Sequence, residues 1–339
     1  RMYLVVKGTT AAGCGNPGSE WIKNVELEIG GQKIDKHSGL WMETWAELTE
    51  PNSAQLVAGA LGSGASSVVS GMGTTFQNMS GMGGVVGASK LMENIVPLQF
   101  WFCRNPGLAL PLIALQYHEV KVILDHAIQT TYTSGITKNQ LWCDYIYLDT
   151  DERRRFAQVS HEYLIEQVQE TSLSNKTQDL NFNHPVKELI WTAGTSADAG
   201  AQTSTELIPV VGAADLDLTL QLKLNGHDRF APRPFTYFSR AQVWQHHSGT
   251  GGLDSATAIH AQNYINGPVG RSNDSIGVYS FALKPEEHQP SGTCNFSRID
   301  NAQLVLDSGV TLAGGAMIYA VNYNVLRIMS GMGGLAYSN

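Results

Sequence analysis

The chain has 339 residues, of which 42% are hydrophobic and 15% charged, and its formal net charge is −8. This hydrophobic content excludes a largely disordered chain, and the 35 glycines and 12 prolines exclude a coiled coil. Soluble domains usually carry about 25% charged residues, so the low charge favours a protein that packs against copies of itself. Neither half is basic, so we expect no tight binding to nucleic acid phosphates.

Short stretches of alternating apolar and polar residues predict strands along most of the chain. In chain order, the predicted strands are 2–7, 25–29, 95–103, 119–124, 216–224, 278–283, 302–306 and 316–322. Trp41, Trp45 and Leu48 have helical spacing and predict one short amphipathic helix, and residues 151–156 predict another turn or two. This pattern predicts an all-β fold of antiparallel sandwiches or barrels.

Two sequence segments recur in the second half of the chain. VELEIGGQKI (25–34) resembles LQLKLNGHDRF (220–230), and an aromatic strand with a basic residue and a proline occurs at both 100–107 and 279–292. Each aromatic segment precedes a similar strand, HEVKVIL (118–124) or DNAQLVL (300–306). The two echoes occur at similar offsets, which predicts two tandem copies of one β-domain.

The composition predicts where these copies begin and end. The polar stretch 171–179 lacks glycine and is typical of a linker, so we predict a first unit at 1–172, a linker at 173–180 and a second unit at 181–339. Glycine and serine dominate residues 50–90, which include GALGSGASS and two copies of SGMG. Such a run has few side chains for a core and predicts a long surface loop in the first unit.

No catalytic or metal motif is complete. His161-Glu162 begins a zinc-protease motif, but Ile165 stands where the second histidine belongs. His246 and His247 are adjacent in a segment predicted as an exposed loop, and neighbouring side chains on extended chain point apart. The glycine clusters lack nucleotide-binding spacing, and no Gly-x-Ser-x-Gly sequence is present. We therefore expect a non-enzyme without metal or cofactor.

Two kinds of residue bear on the environment of the protein. The four cysteines include no Cys-x-x-Cys pair, which predicts free thiols rather than a zinc framework or disulfide scaffold. Four Asn-x-Ser/Thr sequences occur; Asn78, Asn175 and Asn273 are candidate glycosylation sites in loop-like sequence, whereas Asn295 lies in a segment predicted to be a buried strand. The basic run 153–155 follows acidic residues and predicts a solvated or paired surface.

Several long segments resemble the major capsid proteins of nucleocytoplasmic large DNA viruses, and especially those of alga-infecting phycodnaviruses. The similar segments are spread over nearly the whole chain: NVELEIGGQKIDKHSG (24–39), RNPGLALPLIALQYHEVKV (104–122), LDTDERRRFAQVSHEYLIEQVQ (148–169), LNFNHPVKELIW (180–191), LNGHDRFAPR (224–233), QPSGTCNFSRIDNAQL (289–304) and YNVLRIMSGMGGLAYSN (323–339).

The resemblance implies a double jelly roll, that is, two eight-stranded antiparallel sandwiches in tandem. It also implies homotrimers that form pseudo-hexagonal capsomers, which contact neighbouring capsomers and minor capsid proteins in an icosahedral virion. Such a shell lies close to an inner membrane, and it is made and assembled in the host cytoplasm. In algal-virus relatives sugar is often attached outside Asn-x-Ser/Thr, so the three candidate asparagines are weak guides. No segment of the sequence predicts a membrane span.

The sequence departs from the family pattern in two ways. Family chains begin with an arm and early strands upstream of the region that matches residues 2–7, so we expect an N-terminally incomplete chain whose first sandwich exposes an edge. Residues 59–84 match no part of the pattern, and we expect a virus-specific loop on the outer surface.

Two other functions suit a jelly-roll fold. A cupin-like metalloenzyme would need histidines on adjacent strands, but His118 and His126 lack the Gly-x-His-x-His pattern. A carbohydrate-binding module would need a cluster of aromatic side chains on one face. The candidates for that cluster are Trp41, Trp45, Trp244 and Tyr237, of which the first two fit better in the core of a short helix.

Overall fold

The computed structural model of the chain describes residues 1–11, 16–50, 74–83, 91–192, 218–249, 276–309 and 315–337. Strands dominate these residues. In chain order, they are β1 (Met2–Thr10), β2 (Ile22–Ile29), β3 (Gln32–Ser38), β4 (Leu91–Pro97), β5 (Val120–His126), β6 (Tyr132–Cys143), β7 (His161–Ser172), β8 (Thr177–Asp179), β9 (Pro185–Thr192), β10 (Thr219–Leu224), β11 (His227–Asp228), β12 (Arg233–Pro234), β13 (Ile276–Ser280), β14 (Cys294–Asn295), β15 (Ala302–Leu306), β16 (Met317–Met329) and β17 (Met332–Leu335).

The helices are short and connect the strands. They are α1 (Pro17–Glu20), α2 (Gly39–Thr49), α3 (Thr75–Ser80), α4 (Trp101–Arg104), α5 (Ile128–Thr131), α6 (Thr150–Gln158) and α7 (Gln242–His246). Helices α2 and α6 confirm the two helices that the sequence predicts, and the other five were not predicted. Within the described residues, no helix is both long and apolar enough to span a lipid bilayer.

The first half of the chain, β1 to β6, forms two three-stranded antiparallel sheets. One sheet has the order β4-β1-β6 and the other has the order β3-β2-β5. The central strand of the second sheet alternates as predicted: Val25, Leu27 and Ile29 are fully buried between half-exposed glutamates.

The second half, β7 to β17, repeats this arrangement with additional strands. The order β13-β9-β16 corresponds to β4-β1-β6, and β11-β10-β15 corresponds to β3-β2-β5. Here β7 pairs along the free side of β16, and β8 pairs with β15. The remaining strands β12, β14 and β17 pair with β10, β9 and β16.

The strand register confirms the internal repeat predicted from the sequence. Val25 lies opposite Leu124 in the pair β2–β5, and Leu220 lies opposite Leu306 in the pair β10–β15. These are the residues that the two sequence echoes align, Val25 with Leu220 and Leu124 with Leu306. The two halves therefore share strand order and residue register.

Two predictions of local structure are wrong. The predicted strand 95–103 is only a strand up to Pro97, and α4 begins at Trp101. Residues 74–83, predicted as part of a surface loop over 50–90 and of an outward loop over 59–84, form α3 and a segment after it, and Gln77 and residues 80–83 are buried. Thr74 caps α3 by accepting from the Gln77 amide, and Met82 is fully buried. Most of the remainder of the predicted loop, 51–73 and 84–90, lies outside the described residues.

The predicted linker 173–180 contains a strand. Within it, β8 pairs with β15, and Leu173 and Leu180 are buried in the second-half core. The preceding strand β7, predicted to belong to the first unit, pairs with β16 over its whole length. The exact unit boundaries stay a prediction.

Among the described residues, three apolar clusters form the interior. One is built mainly from the first half but includes Ile165 of β7 and Leu326 and Ile328 of β16, and another lies in the second half. The third also joins the halves, because Trp41, Trp45 and Leu48 of α2 pack against Ile190 of β9 and Tyr319 of β16. The Trp41 and Tyr319 ring centroids are 5.0 Å apart. The predicted amphipathic helix thus forms part of the apolar joint between the halves.

Candidate functional site

The histidines weighed as metal ligands are separated in the structure. The Nε2 atom of His161 lies 2.8 Å from the carbonyl oxygen of Phe156, and Nδ1 of His118 lies 2.9 Å from the carbonyl oxygen and 3.1 Å from the amide nitrogen of Gly333. His246 lies 3.2 Å from the Leu283 carbonyl. In the described part of the chain, no three His, Cys, Asp or Glu side chains come together as metal ligands.

The described cysteines are free thiols, as the sequence predicts. Burial raises the pKa of Cys103 to about 11, which keeps it protonated and unreactive at neutral pH. Burial also raises the pKa of Cys143 and Cys294. Cys14 lies outside the described residues.

The aromatic residues considered for sugar binding do not form one surface. Trp41 and Trp45 are buried in the joint between the halves, as their helical spacing suggested. Trp244 is exposed on α7, whereas Tyr237 is half-buried beneath the guanidinium of Arg233, 4.3 Å from its ring centre. Two of the four rings are unavailable, so the structure does not support a carbohydrate-binding module.

The candidate glycosylation sites have different settings. Asn78 is exposed but lies on α3 rather than in a loop, and Asn175 is exposed just before β8. Asn273 lies outside the described residues. Asn295, expected to be buried, is exposed because it sits at the end of a two-residue strand, where its Oδ1 accepts from the Ser297 amide.

The first half exposes large apolar side chains next to free strand edges. Leu141, Trp142, Tyr145, Ile146 and Tyr147 are all at least 40% exposed, and Tyr147 reaches 87%. Among the described residues, β6 pairs with β1 alone, whereas the corresponding β16 is covered on both sides. Several exposed large apolar side chains close to a free strand edge are typical of a protein–protein contact.

The basic run 153–155 lies on the exposed face of α6, as predicted for a solvated surface. Asp149 caps this helix by accepting from the Glu152 amide at 2.8 Å. Arg154 forms one ion pair, 3.9 Å from Asp151, and both side chains are largely exposed. Exposed pairs of this kind contribute little to stability.

The most deeply buried charges lie where the halves meet, and the sequence analysis missed most of them. Lys187, Glu188 and the side chain of His247 are buried on or beside β9. The prediction that His247 lies in an exposed loop is therefore wrong, because its side chain is buried. The available signal was the Lys-Glu pair inside the otherwise apolar strand at 185–192, since charged residues inside a central strand need partners.

Two family models match the chain. The model "Major capsid protein N-terminus" matches residues 5–149, and "Large eukaryotic DNA virus major capsid protein" matches 152–256 and 261–334. The join between them falls close to the end of the first-half sheets.

Individual relatives extend over the full chain. The major capsid protein of Pyramimonas orientalis virus is 48% identical over 357 residues, covering 100% of this chain and 83% of the relative. That of Paramecium bursaria Chlorella virus 1 is 38% identical and covers 99% and 83%. The quasi-atomic model of the PBCV-1 virus capsid matches with a TM-score of 0.72 at 36% identity, covering 100% of this chain and 89% of that one. These findings confirm the predicted double jelly roll, and the chain belongs to the major capsid proteins of large eukaryotic DNA viruses.

Proposed function

We propose that three copies of this chain form a pseudo-hexagonal capsomer that tiles the faces of an icosahedral shell. The observation that carries this proposal is the repeat of strand order and register in the two halves. A trimer of chains with two similar halves has six similar sides, which suits hexagonal packing. The role is mechanical and includes no catalysis.

The proposed contacts follow from the same role. Neighbouring capsomers and minor capsid proteins contact the outer sides of the trimer, and the inner membrane lies beneath the shell without being crossed by this chain. Assembly takes place in the host cytoplasm, and the product is the virion. No sequence-specific contact with nucleic acid forms part of the role, which agrees with the net charge of −8.

The exposed apolar surface supports self-assembly. Five large apolar side chains between Leu141 and Tyr147 face solvent in the single chain. Leaving such a surface exposed is unfavourable, and aromatic residues are enriched where proteins contact each other. We propose that this surface is covered in the assembled shell.

The units and the sugar sites are further parts of the proposal. The predicted units 1–172 and 181–339 are proposed as two jelly rolls, and the pairing of β7 with β16 favours placing residues 161–172 with the second. Asn78, Asn175 and Asn273 stay candidate attachment points. Glycopeptide mass spectrometry of purified virions tests each asparagine separately.

The native mass of the full-length protein tests the central proposal. We expect a species of three chain masses across a wide range of concentration, and hexagonal particles in negative-stain images. A persistent monomer under the same conditions would contradict the proposal. A variant with Tyr147→Asp provides a second reading, since a charge on the covered surface should weaken assembly while the chain stays folded by circular dichroism.

A further inference from the structure

The end of helix α2 is held by the second half of the chain. The carbonyl groups in the last turn of a helix have no partners within the helix. Here the Ser248 hydroxyl donates to the Thr49 carbonyl at 2.8 Å, and the Gly249 amide donates to the Leu48 carbonyl at 2.7 Å. A side chain at Gly249 would lie 2.3 Å from the Glu47 carbonyl. A segment of the second half therefore caps a helix of the first.

A buried histidine between two carboxylates holds the capping segment in place. Nε2 of His247 lies 3.0 Å from Glu188 Oε2, and Nδ1 lies 3.2 Å from Glu286 Oε1. Glu286 also accepts from the amide and the hydroxyl of Ser248, at 2.8 and 2.9 Å. Both ring nitrogens face a carboxylate, and only a protonated imidazole can donate from both. The contact thus requires a proton on His247.

The charges around His247 favour this protonated form. Burial disfavours the charged ring, but Glu188 and Glu286 outweigh it and raise the pKa of His247 to about 9. Glu50, at the end of α2 in the first half, interacts with the charge of Glu286. Burial and this charge raise the pKa of Glu50. The edge of the Trp45 ring completes the surroundings, with ring centroids 6.4 Å apart.

The loop after β13, which contributes Glu286, also contributes His288 to a second buried cluster. Glu166 of β7 lies 2.7 Å from an Arg104 nitrogen, 2.8 Å from Lys187 Nζ and 3.4 Å from His288 Nδ1. Arg104 belongs to α4 of the first half, and its guanidinium also lies 5.0 Å from the Trp45 ring centre. Burial opposes ionisation of Glu166, but Arg104, His288 and Lys187 hold its pKa at about 2.

Strand β9 and one loop join the two clusters. Lys187 and Glu188 are consecutive, and both side chains are buried because β9 is covered on both faces from Val186 to Thr192. Glu286 and His288, two residues apart in the loop after β13, contribute one side chain to each cluster. The result is a continuous set of charges from α4 and the end of α2 to β9, defined here as the charge bridge.

We propose that the charge bridge fixes the angle between the two jelly rolls of one chain, and that the proton on His247 closes it. The inference rests on the proposed capsomer, because three chains present six equivalent sides only if that angle is constant. His247 is a positioning residue that acts by holding residues 248 and 249 against α2.

The direction of the pH dependence follows from the raised pKa. The pKa of His247 is about 9 in the folded chain, compared with an ordinary value of 6.5, so the folded chain binds this proton more tightly. Its stabilisation is therefore complete below about pH 6.5 and is lost as the pH rises through about 9.

Amide hydrogen exchange of the full-length protein, corrected for the intrinsic rate at each pH, tests the proposal. We expect protection of Ser248 and Gly249 to fall at least tenfold between pH 8 and 10 in the wild type. Protection in the distant strand β1 should stay constant. The variant His247→Gln should show the low protection at both pH values. The matched control His246→Gln alters the adjacent histidine, which contacts no carboxylate in the described residues, and should behave as wild type.

Constant protection of Ser248 and Gly249 up to pH 10 in the wild type would overturn the proposal, and this measurement needs no variant to fold. Equal losses in His247→Gln and His246→Gln would also overturn it. Native mass is measured on the same samples and reports the proposed trimer independently. A monomeric wild type with the expected exchange would contradict the capsomer while supporting the charge bridge within the chain.

Discussion

The two halves of the chain contain the same hairpin, but the first residue of the turn is glycine in one half and asparagine in the other, and the contacts at the turn differ. Hairpin β2–β3 turns at Gly30 and Gly31, with φ of +59° and +81°, and hairpin β10–β11 turns at Asn225 and Gly226, with φ of +51° and +76°. Left-handed conformations at both positions match the twist of a two-residue hairpin. Asparagine and glycine are the residues that adopt them at low cost.

The same backbone hydrogen bond follows each turn. The Gly30 amide donates to the Glu119 carbonyl at 2.9 Å, and the Asn225 amide donates to the Asn301 carbonyl at 2.6 Å. In the second half, Asn225 Oδ1 also accepts from the amides of Asp300 and Asn301, at 2.9 and 3.2 Å. The turn of the second half is therefore capped by its own side chain.

In the first half, a glycine leaves this space open and another side chain fills it. A Cβ on Gly30 would lie 2.2 Å from Nδ1 of His118. Nδ1 of that histidine lies within hydrogen-bonding distance of the backbone of Gly333 in β17, at the C-terminal end of the second half. The missing side chain thus converts a self-capped turn into a docking point for the other half. The repeated backbone is kept, and one position decides how it is used.

The largest expected effect comes from the residues that the repeat makes equivalent in the cores. Leu27 and Leu222 are fully buried in the central strands β2 and β10. Leu27→Ala and Leu222→Ala should each lower the free energy of unfolding by about 3 kcal/mol, because each leaves a cavity. Urea denaturation measures both. A loss below about 1 kcal/mol at either position would show that the two cores are not equivalently packed.

The turn glycines provide the next largest effect. Gly30→Ala should cost about 2 kcal/mol, since it adds a clash with His118 to the strain of a left-handed residue. Gly31→Ala is the matched control, because its φ is also positive but no atom lies within 4 Å of the added Cβ. It should cost only about 1 kcal/mol. Equal losses in thermal unfolding would mean that backbone strain, not space for His118, explains Gly30.

These hairpins also show what the sequence can reveal about the fold. The alternation in 25–29 and 216–224 is a local signal, so the strands followed from it, and the similar offsets of the two repeated segments indicated which residues of the two halves correspond. The run 95–103 failed because a short apolar segment suits a strand or a buried helix equally well. Residues 80–83 were assigned to the loop over 50–90 for lack of large side chains, yet Met82 is fully buried in the first-half core.

The charge bridge was beyond sequence reasoning for a different reason. The sequence analysis did not single out Lys187 and Glu188, because their partners Glu166, His247 and Glu286 are distant in sequence. Local spacing carries no information about which of several buried charges meet. Strand β9 is buried on both faces from Val186 to Thr192, so two consecutive charges lie inside the protein and alternation gives no sign of them.

The self-capped turn gives a smaller effect that separates two causes. Asn225→Gly keeps the left-handed conformation but removes the oxygen that accepts from two amides, and should cost about 1 kcal/mol. Asn225→Ala removes the oxygen and adds strain, and should cost about 1 kcal/mol more. Thermal unfolding of the two variants measures the difference. A more stable Asn225→Gly variant would mean that the side-chain cap contributes nothing.

The smallest expected effect, His118→Ala, decides whether the first-half turn is a docking point. The half-buried ring is lost together with its bond to Gly333, and the free energy of unfolding should fall by only about 1 kcal/mol. The informative measurement is the double variant Gly30→Ala with His118→Ala. If the clash with the ring causes the loss at Gly30, the double variant should be at least about 1 kcal/mol more stable than the sum of the two single losses predicts. Additive losses would place the strain of Gly30 in the backbone, and the first-half turn would then differ from the second only in lacking a cap.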